Sequence, residues 1–308
     1  MKKLLILDTF NFLHRAYHAL PTSFRGPDGE PTNAVYGVTS MILNVLDQIK
    51  PDYIVAALDG KEPTFRVEEF TSYKAQRKPM EDDLKIQIPK VFEILDAFEI
   101  NKIVVEGYEA DDVIGTVTKK FRDKVSIVIV SNDRDLWQLA GKGTIIMVPG
   151  KKGQIDWMGE KEVDLRLGFE ADKIADYKGL RGDTSDNIPG VYGIGEVTAT
   201  KLLQKYNSLE DIYKNIDTVE PESLRKKLLE NYEQALMSKK LAQIVLDVPL
   251  QVTLDDCKFR EISKIKVKEV LEKYNFKSLI KRMGFSIDDG EDKKGNQDIP
   301  DNQLSLLD

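Results

Sequence analysis

The sequence predicts an α/β fold with a mostly parallel central sheet flanked by helices, followed by a helical subdomain. Short apolar runs alternate with segments of helical periodicity up to about residue 160, as in strand–helix–strand units of a parallel sheet. Two of these runs, residues 3–7 and 53–58, end directly in an aspartate. Beyond residue 160 the chain is helical and polar, so we place a loose boundary between residues 1–160 and residues 161–286.

The predicted elements follow from apolar periodicity. Short apolar runs bounded by polar or turn residues indicate buried strands, and apolar stripes at helical spacing indicate helices. The predicted strands are residues 3–7, 53–58, 103–105, 125–130, 144–148 and 155–157, the last two forming a hairpin. The predicted helices are residues 11–20, 31–50, 84–98, one that follows residue 109, 220–245, 267–274 and 277–283.

The stretch of residues 107–135, GYEADDVIGTVTKKFRDKVSIVIVSNDRD, is the centre of the prediction. Because the carboxyl ends of parallel strands meet at one edge of a sheet, its acidic ends are expected to lie beside Asp8 and Asp59. The alternative is local, since an aspartate caps a helix and acidic residues favour a helix N-terminus. The acidic residues of the stretch are Glu109, Asp111, Asp112, Asp133 and Asp135.

A cluster of carboxylates predicts a metal site. Carboxylates that share a site repel one another and raise each other's pKa values. A divalent cation removes the repulsion, and a set of oxygen ligands suits Mg²⁺, with Mn²⁺ as a substitute. The chain has one cysteine, Cys257, and two histidines, so a cysteine-based zinc site is excluded and a histidine-rich one is not expected. The working hypothesis is a metal-dependent phosphodiesterase.

Residues 61–83, KEPTFRVEEFTSYKAQRKPMEDD, differ in character from the flanking helices and strands. Basic and aromatic side chains lie together in this segment, which is typical of a path for a single nucleic-acid strand. A solvated helix with ordinary surface charge is an equally good interpretation from the sequence alone. The side chains in question are Arg66, Lys74, Arg77 and Lys78, with Tyr73 or Phe70 as the stacking surface.

Residues 182–203, GDTSDNIPGVYGIGEVTATKLL, within the predicted helix–hairpin–helix of residues 182–204, contain a second acidic pair and three glycines ahead of a helix. Asp183 and Asp186 are three residues apart and share a face if the segment is helical. Glycines that open a helix place backbone N–H groups toward an anion, which predicts a helix–hairpin–helix that grips a nucleic-acid phosphate. A plain glycine-rich turn is the alternative. The predicted DNA-binding residues are Gly190, Gly193, Gly195 and Lys201.

The composition, 41% hydrophobic and 31% charged, is that of a globular protein. Asp8 ends the opening apolar run too early for a signal peptide, and no later run is long enough to span a membrane. We therefore expect a reduced, cytoplasmic, nucleoid-associated monomer. The net charge is −7, and residues from Ile287 onward contain seven acidic and two basic residues. The rest of the chain, its body, therefore has a net charge of −2. With its carboxylates committed to metal, the body presents a mildly basic surface.

Residues 287–308 form an acidic tail whose composition favours a disordered linker. Its tip, QLSLLD, resembles the short peptide that bacterial proteins use to dock in the sliding clamp. A flexible linker adds effective concentration to such a contact, while a chance apolar terminus is the alternative. The residues implied in clamp binding are Gln303, Leu304, Leu306 and Leu307.

A series of motifs extends over residues 1–285: LILDTFNFLHRAYHAL, PTNAVYGV, LDGKEPTFR, YKAQR, GYEADDVIGT, SNDRDLWQL and GDTSDNIPGVYGIG. Together, in this order, they resemble the 5′-nuclease (flap endonuclease-like) family, and within it the 5′→3′ exonuclease domains of bacterial DNA polymerases. The resemblance implies the PIN/5′-nuclease fold, a helical arch at residues 61–83 and a helix–three-turn–helix. It implies no polymerase part. The chain departs from the commonest pattern at Tyr192 and at Ser131-Asn132.

The resemblance also implies residue roles. Tyr73, Lys74 and Arg77 belong to the arch, with Arg66 on the same path, and act on the scissile phosphate. The glycine hairpin holds duplex DNA and a K⁺ ion through its carbonyls. The first of two metals is assigned mainly to Asp8, Asp59, Glu109, Asp111 and Asp112. The second is assigned mainly to Asp133, Asp135, Asp183 and Asp186.

The implied function is a structure-specific 5′→3′ exonuclease and 5′-flap endonuclease that uses two metals. It removes 5′ nucleotides and flaps from DNA or an RNA–DNA hybrid, in Okazaki-fragment primer removal and DNA repair. One alternative is a PIN-like ribonuclease, which lacks the arch and the glycine hairpin. Another is a non-catalytic DNA-binding or clamp accessory protein, which loss of a metal ligand would favour.

Overall fold

The computed structural model describes residues 1–150, 154–260 and 262–285. Its centre is a six-stranded sheet. The strands are β1 (Lys3–Asp8), β2 (Tyr53–Ala57), β3 (Asn101–Ile103), β4 (Ser126–Val130), β5 (Thr144–Pro149) and β6 (Ile155–Met158). Their order is β3-β2-β1-β4-β5-β6. All neighbours are parallel except β5 and β6, which are antiparallel as the hairpin prediction requires.

The helices flank this sheet and build the second half of the chain. Those between the strands are α1 (Thr9–Ala19), α2 (Asn33–Ile49), α3 (Phe65–Glu69), α4 (Asp82–Lys85), α5 (Ile88–Ala97) and α6 (Ala110–Phe121). Those after the sheet are α7 (Glu160–Leu167), α8 (Ile174–Arg181), α9 (Glu196–Tyr206), α10 (Leu209–Lys214), α11 (Glu222–Glu230), α12 (Tyr232–Ala242), α13 (Lys264–Lys273) and α14 (Lys277–Arg282). Short 3₁₀ helices cover Asp135–Leu139, Ala171–Lys173, Ile216–Thr218 and Asp255–Cys257.

The central strands are buried on both faces, which is why they are continuously apolar. Leu4 and Ile6 of β1 point into one core, and Leu5 and Leu7 point into the other. The first core continues into the helical second half, so α6 lies between the sheet and that half. The second core contains α1, α2 and α5 and is closed by α13 and α14.

The sheet has a topological switch point between β1 and β4. The chain adds β2 and β3 on one side of β1, and β4 and β5 on the other. The connections at the carboxyl ends of β1 and β4 therefore leave in opposite directions and open a crevice, where ligands of such sheets bind. The acidic ends of the strands face this crevice.

Two predicted helices are divided in the structure. The segment predicted as residues 84–98 breaks at Gln87, whose buried side chain accepts hydrogen bonds from the N–H groups of Ala34 and Val35 at 2.9 and 3.3 Å. Gln87 thereby satisfies the free N-terminus of α2, a long-range role that periodicity does not indicate. The segment predicted as residues 220–245 breaks at Asn231 into α11 and α12.

In the portion of the chain that the structure describes, none of the helices is both long and apolar enough to cross a membrane.

Gly37 sets the distance between α1 and α2. A Cβ at this position would lie 2.5 Å from the Cβ of Ala16, well inside contact distance. A glycine inside a helix costs about 1 kcal/mol relative to alanine, so the close approach of the two helices accounts for its presence.

Replacing Gly37 by alanine is expected to lower the free energy of unfolding by about 1–3 kcal/mol, because overpacking forces the backbones apart. Urea unfolding at neutral pH measures the change. The control is Gly37→Ala combined with Ala16→Gly, which moves the methyl group from one helix to the other. We expect the double variant to be close to the wild type. Equal instability of the two variants would show that the Ala16 contact is not the cause.

Candidate metal centre and nucleic-acid interface

Asp8 links the end of β1 to the start of α1. Its Oδ1 accepts a hydrogen bond from the N–H of Asn11 at 3.2 Å, so it does cap the helix. Its Oδ2 accepts a hydrogen bond from Ser131 Oγ at 2.6 Å, beyond the end of β4. The local and the functional interpretations are therefore compatible, since the cap fixes the carboxylate at the crevice.

Asp8, Asp111 and Asp133 form a first acidic group, which lies across the switch point. Burial raises the pKa of Asp8 to about 7, despite hydrogen bonds from Ser131 and Asn11, with Asp133 adding repulsion. Burial also raises the pKa of Asp111 well above its usual range, and the charges of Asp133 and Asp8 raise it further. No lysine or arginine among the described residues forms an ion pair with this first group. Asp59 is near it, and its Oδ1 accepts a hydrogen bond from the N–H of Ala110 at 2.8 Å.

Asp135, Asp183 and Asp186 form a second acidic group. Each offers a carboxylate oxygen, and these oxygens lie within 4.8 Å of one another. Lys178 of α8 reaches into the group, with its Nζ paired to Asp135 and 2.5 Å from Asp183 Oδ2. The ammonium thus occupies the space between two carboxylates.

Lys178 is a residue of this group that the sequence pattern does not indicate. It lies five residues before Asp183 on a polar helix, and nothing in that pattern separates it from a surface lysine. Burial lowers its pKa, but Asp135 and Asp183 outweigh the burial and the pKa is raised. Burial raises the pKa of Asp135 to about 6 even beside Lys178. Burial also raises the pKa of Asp183, but Lys178 and Ser185 outweigh it, so that pKa is lowered to about 2.

The predicted arch residues Lys74 and Arg77 lie directly on the carboxylates. Lys74 Nζ donates to Glu109 Oε2 at 2.9 Å and lies 3.8 Å from Asp186 Oδ2. Arg77 Nη2 donates to Asp186 Oδ1 at 2.5 Å, while half of its side chain stays exposed. The backbone N–H of Lys74 also donates to the Asp186 carbonyl at 2.9 Å. In this structure both cations therefore neutralise the acidic cluster.

Tyr73 does not provide an open stacking surface, contrary to that prediction. Its ring is 4% exposed and packs with Leu241 and Ala242. Its hydroxyl donates to Glu109 Oε2 at 3.2 Å and to Asp186 Oδ2 at 3.4 Å. Burial strongly raises the pKa of the phenol, and the neighbouring carboxylates raise it further. Tyr73 therefore anchors the arch and remains a neutral hydrogen-bond donor.

Asp112 and Arg66, predicted as a metal ligand and a catalytic residue, form a buried pair in this structure. Arg66 Nη1 and Nη2 donate to Asp112 Oδ2 and Oδ1 at 2.7 and 2.8 Å. Asp112 also accepts hydrogen bonds from the N–H of Val245 at 2.9 Å and that of Glu109 at 3.1 Å. The carboxylate of Asp112 is fully buried with four donors around it, which leaves it no free oxygen for a cation.

Asp183 and Asp186 lie on a turn, not on a helix face as the spacing suggested. The turn is closed by the backbone pair between Asp183 and Ile188, with both hydrogen bonds at 2.8 Å. The arch is fastened to the same turn, because Asn187 Nδ2 donates to the Ser72 carbonyl at 2.6 Å. The turn still brings both carboxylates into the cluster.

The glycine hairpin connects α8 and α9, as predicted for residues 182–204. Gly190, however, does not offer a free N–H, because its N–H donates to Ser238 Oγ at 3.0 Å. A Cβ there would lie 2.1 Å from the Gly182 nitrogen, so Gly190 is required for close backbone packing. Gly195 differs: it stands at the N-cap of α9, where no side chain of the described residues caps the helix, and open space surrounds it.

Two lysines, Lys201 and Lys227, lie on the exposed side of the hairpin, together with Glu196 at the start of α9. Gly193 has a left-handed backbone with φ of 77°, and its carbonyl accepts a hydrogen bond from Lys227 Nζ at 3.4 Å. Lys201 is exposed on α9, one turn beyond the exposed Val197. Backbone N–H groups at an uncapped helix start beside lysines suit an anion such as phosphate. Residues 303–307 of the predicted clamp-binding tip lie outside the described residues.

Comparison with known proteins places both halves of the chain. Residues 3–168 match the family model described as the 5′-3′ exonuclease, N-terminal resolvase-like domain. Residues 169–265 match the model of the 5′-3′ exonuclease, C-terminal SAM fold. The chain belongs to the 5′-3′ exonuclease family.

Curated members of the family include stand-alone and larger proteins. A 5′-3′ exonuclease of Aquifex aeolicus is 36% identical over 92% of this chain and 96% of its own length. DNA polymerase I of Caldicellulosiruptor bescii is 45% identical over 97% of this chain but 36% of its own length. DNA polymerase I of Bacillus subtilis is 36% identical over 34% of its length. The chain thus spans about a third of its polymerase relatives.

Solved structures support the fold. The 5′-exonuclease of T5, with bound zinc, covers 89% of this chain and all of its own, with a TM-score of 0.65 at 20% identity. A T5 flap endonuclease in complex with DNA and metal ions has a TM-score of 0.66 at 18% identity. The catalytic core of Rad2 with a DNA substrate has a TM-score of 0.58 and covers 88% of its own length.

The donor set of this exonuclease-family chain fits divalent metal ions. Every candidate ligand is a carboxylate oxygen, the donor that Mg²⁺ and Mn²⁺ prefer. Burial is the main cause of the raised pKa values of Asp8, Asp111 and Asp135, and repulsion from neighbouring carboxylates adds to it. Among the described residues, ion pairs with lysine or arginine reach the second group but not the first, so the first group has the stronger need of a cation.

Asp8 is expected to make the metal-free protein lose stability as pH rises. Its pKa is raised from 3.8 to about 7 on folding, so the folded state retains a proton that the unfolded chain releases. The contribution of Asp8 to the free energy of unfolding is therefore greatest below about pH 4 and decreases as the pH rises to about 7. Asp8→Asn removes the effect and should raise the unfolding free energy at pH 8 by about 1–3 kcal/mol.

Urea unfolding in EDTA at pH 5 and pH 8 tests this prediction. The exposed Asp123→Asn serves as the control and should keep the wild-type pH dependence. An Asp8→Asn variant with the wild-type change between pH 5 and pH 8 would contradict it. Added Mg²⁺ should stabilise the wild type more than Asp8→Asn. An ion that binds the folded state stabilises it, and the variant lacks the Asp8 carboxylate.

Proposed function

We propose that this chain is a divalent-metal-dependent 5′→3′ exonuclease and 5′-flap endonuclease that hydrolyses DNA. The observation that supports this most strongly is the acidic crevice beneath a basic segment, with Lys74 and Arg77 on the carboxylates themselves. The carboxylates suit metal cations, and the basic side chains suit the phosphate of a phosphodiester. Family membership agrees with the proposal.

We propose two metal subsites. The first is held by Asp8, Asp111 and Asp133 with Asp59 nearby, and the second by Asp135, Asp183 and Asp186. Glu109 lies next to the two subsites, and Lys74 pairs with both Glu109 and Asp186. Mg²⁺ is the proposed ion and Mn²⁺ its substitute; when bound, such ions activate water and stabilise charge on the attacking and leaving oxygens of a phosphodiester. This grouping moves Asp133 from the second subsite, where the sequence analysis had it, to the first.

Lys74 and Arg77 are proposed to bind the scissile phosphate. Both are paired with carboxylates in this structure, and burial lowers the pKa of Lys74 less than Glu109 and Asp186 raise it, so it stays charged. Cations that neutralise Glu109 and Asp186 release the two side chains to a phosphate. The arch then presents positive charge where the negative charge of the transition state develops.

The hairpin is proposed to hold the duplex part of the substrate. The uncapped start of α9 and the exposed Lys201 supply sequence-independent phosphate contacts. A K⁺ ion at the hairpin carbonyls is part of the proposal, near the position where Lys227 approaches Gly193. The substrates proposed are flapped, nicked and 5′-ended DNA and RNA–DNA hybrids, handled by a monomer at the nucleoid in replication and repair. Docking of residues 303–307 in the sliding clamp is proposed from the sequence pattern.

A 5′-labelled flap substrate tests the activity. Wild-type protein should release the flap in Mg²⁺, leave a 5′-phosphate and stop on EDTA addition. Asp111→Asn should lower kcat by about 10²-fold or more, since a ligand of the reaction centre is lost, while duplex binding stays within about twofold. Equal cleavage by wild type and Asp111→Asn would refute the site. Preference for single-stranded RNA over forked DNA would favour a ribonuclease instead.

Lys178 is expected to compete with the second metal. Removing its positive charge in Lys178→Gln frees Asp135 and Asp183, so Mn²⁺ should bind about tenfold more tightly in calorimetry. The control is Lys173→Gln, at the start of α8, whose lysine pairs with the exposed Asp172. It should bind Mn²⁺ as the wild type does. Weaker or unchanged Mn²⁺ binding by Lys178→Gln would contradict the competition.

A further inference from the structure

One helix of the second half, α12, contacts both the hairpin and the arch. Near its middle, Ser238 accepts the hydrogen bond from the Gly190 N–H at 3.0 Å, and Gln234 Nε2 donates to the Gly190 carbonyl at 2.5 Å. Ser238 is fully buried. Gln234 and Ser238 are four residues apart and share a face. The turn of the hairpin is therefore fixed to α12 by both its N–H and its carbonyl.

The C-terminal end of α12 is bound by Arg66. Arg66 Nε donates to the Leu241 carbonyl at 2.8 Å, and its Nη2 donates to the Gln243 carbonyl at 2.9 Å. The last carbonyls of a helix have no partner within the helix, and a cation is favoured at this negative end of the helix dipole. Arg66 is 2% exposed, so these contacts are protected from water.

Arg66 belongs to α3, at the base of the arch, and it also holds α6. Its guanidinium forms the two-pronged pair with Asp112, which in turn accepts the Glu109 N–H that opens α6. Asp111, directly before Asp112, carries a carboxylate of the first acidic group. The ring of Tyr73, on the far side of α3, packs on Leu241 and Ala242 of the same helix end.

We propose that Arg66 is a positioning residue that couples duplex binding at the hairpin to the placement of the arch and the α6 carboxylates. A helix held through Gln234 and Ser238, and again through the carbonyls at its C-terminal end, transmits a constraint between these contacts. Duplex bound at Gly193 and Gly195 fixes α12, and Arg66 then fixes the arch base and Asp112 together. This inference rests on the proposed function, which supplies the duplex and the 5′ strand as substrate parts.

The alternative is that the Arg66–Asp112 pair merely stabilises the fold. Breaking a buried pair by removing one partner is strongly destabilising, so loss of activity in a simple alanine variant would not separate the two. Two milder variants do. Arg66→Lys keeps the charge but lacks the planar fork that reaches both the carboxylate and the carbonyls. Arg66→Met combined with Asp112→Leu removes both charges together, so that no buried charge is left unpaired. Urea unfolding of this variant measures the cost of the backbone groups that lose their partners.

The experiment measures three quantities on the full chain: kcat and KM for a 5′-flap substrate in Mg²⁺, the Kd of a blunt duplex in EDTA, and the Kd of the same duplex carrying a flap. We expect Arg66→Lys and the apolar double variant to lower kcat about tenfold or more. The blunt-duplex Kd should stay within twofold, and the added affinity from the flap should be lost. Arg282→Lys, whose arginine contacts Ser40 and Asn44 on α2, is the matched control and should match the wild type.

Coupling through α12 is tested by combining Arg66→Lys with Ser238→Ala at the hairpin end. If both act through one helix, the loss of log kcat in the combined variant is smaller than the sum of the separate losses. Additive losses, or wild-type kcat in the apolar double variant, would overturn the coupling. If the wild-type protein does not cut the flap, the proposed function is refuted. If the wild type and Arg66→Lys cut the flap equally well, only the coupling inference is refuted.

Discussion

Repulsion among carboxylates held at one edge of the sheet is the constraint on which the rest of the structure depends. Anions at such distances are tolerated only with positive charge close by, and the chain supplies part of it internally. Lys74 and Arg77 come from the arch, and Lys178 comes from α8. These ion pairs between lysine or arginine and the carboxylates therefore help to hold the arch and the helical second half against the sheet. The arrangement of the three parts follows from the electrostatics of the crevice as well as from apolar packing.

The internal cations are unevenly distributed, and this divides the cluster. Asp135, Asp183 and Asp186 already share Lys178 and Arg77, whereas Asp8, Asp111 and Asp133 have no lysine or arginine paired with them in the described chain. A metal ion entering the first group meets carboxylates without an ion pair, on which Lys74 acts only from a distance, while one entering the second must displace an ammonium or a guanidinium. The first subsite should consequently fill at lower metal concentration than the second. Under the proposed function, release of Lys74 and Arg77 on metal entry would make these two cations available to the scissile phosphate.

The sequence was sufficient for features that depend on short-range order and on sheet topology. Asp8, Asp59 and Asp133 were located correctly because strand ends of a parallel sheet converge, whatever the details of packing. Arg66 was misjudged because its partner Asp112 is 46 residues away, a distance over which local spacing carries no information. Lys178 was missed because one partner, Asp135, is 43 residues away, and because the nearer partner, Asp183, lies on a turn whose geometry the spacing does not reveal. Gln87 likewise divides a helix through contacts with α2. Gly190 was assigned to the right hairpin but for the wrong reason, since only the fold shows Ser238 at its N–H. The spacing of Asp183 and Asp186 suggested a helix where a turn serves the same end.

The pair Asp111 and Asp112 shows why residue type alone does not assign a ligand. The two carboxylates are adjacent, and on a helix they point about 100° apart. That rotation directs Asp112 into the protein, where Arg66 and two backbone N–H groups satisfy it completely. It leaves Asp111 facing Asp8 and Asp133, with no side-chain hydrogen bond from any described residue. One negative charge is neutralised by a fixed internal cation, and the other is left for an exchangeable one. In the proposed site, the buried pair beside Asp111 holds the start of α6 in place, because Asp112 also accepts the hydrogen bond from the N–H of Glu109.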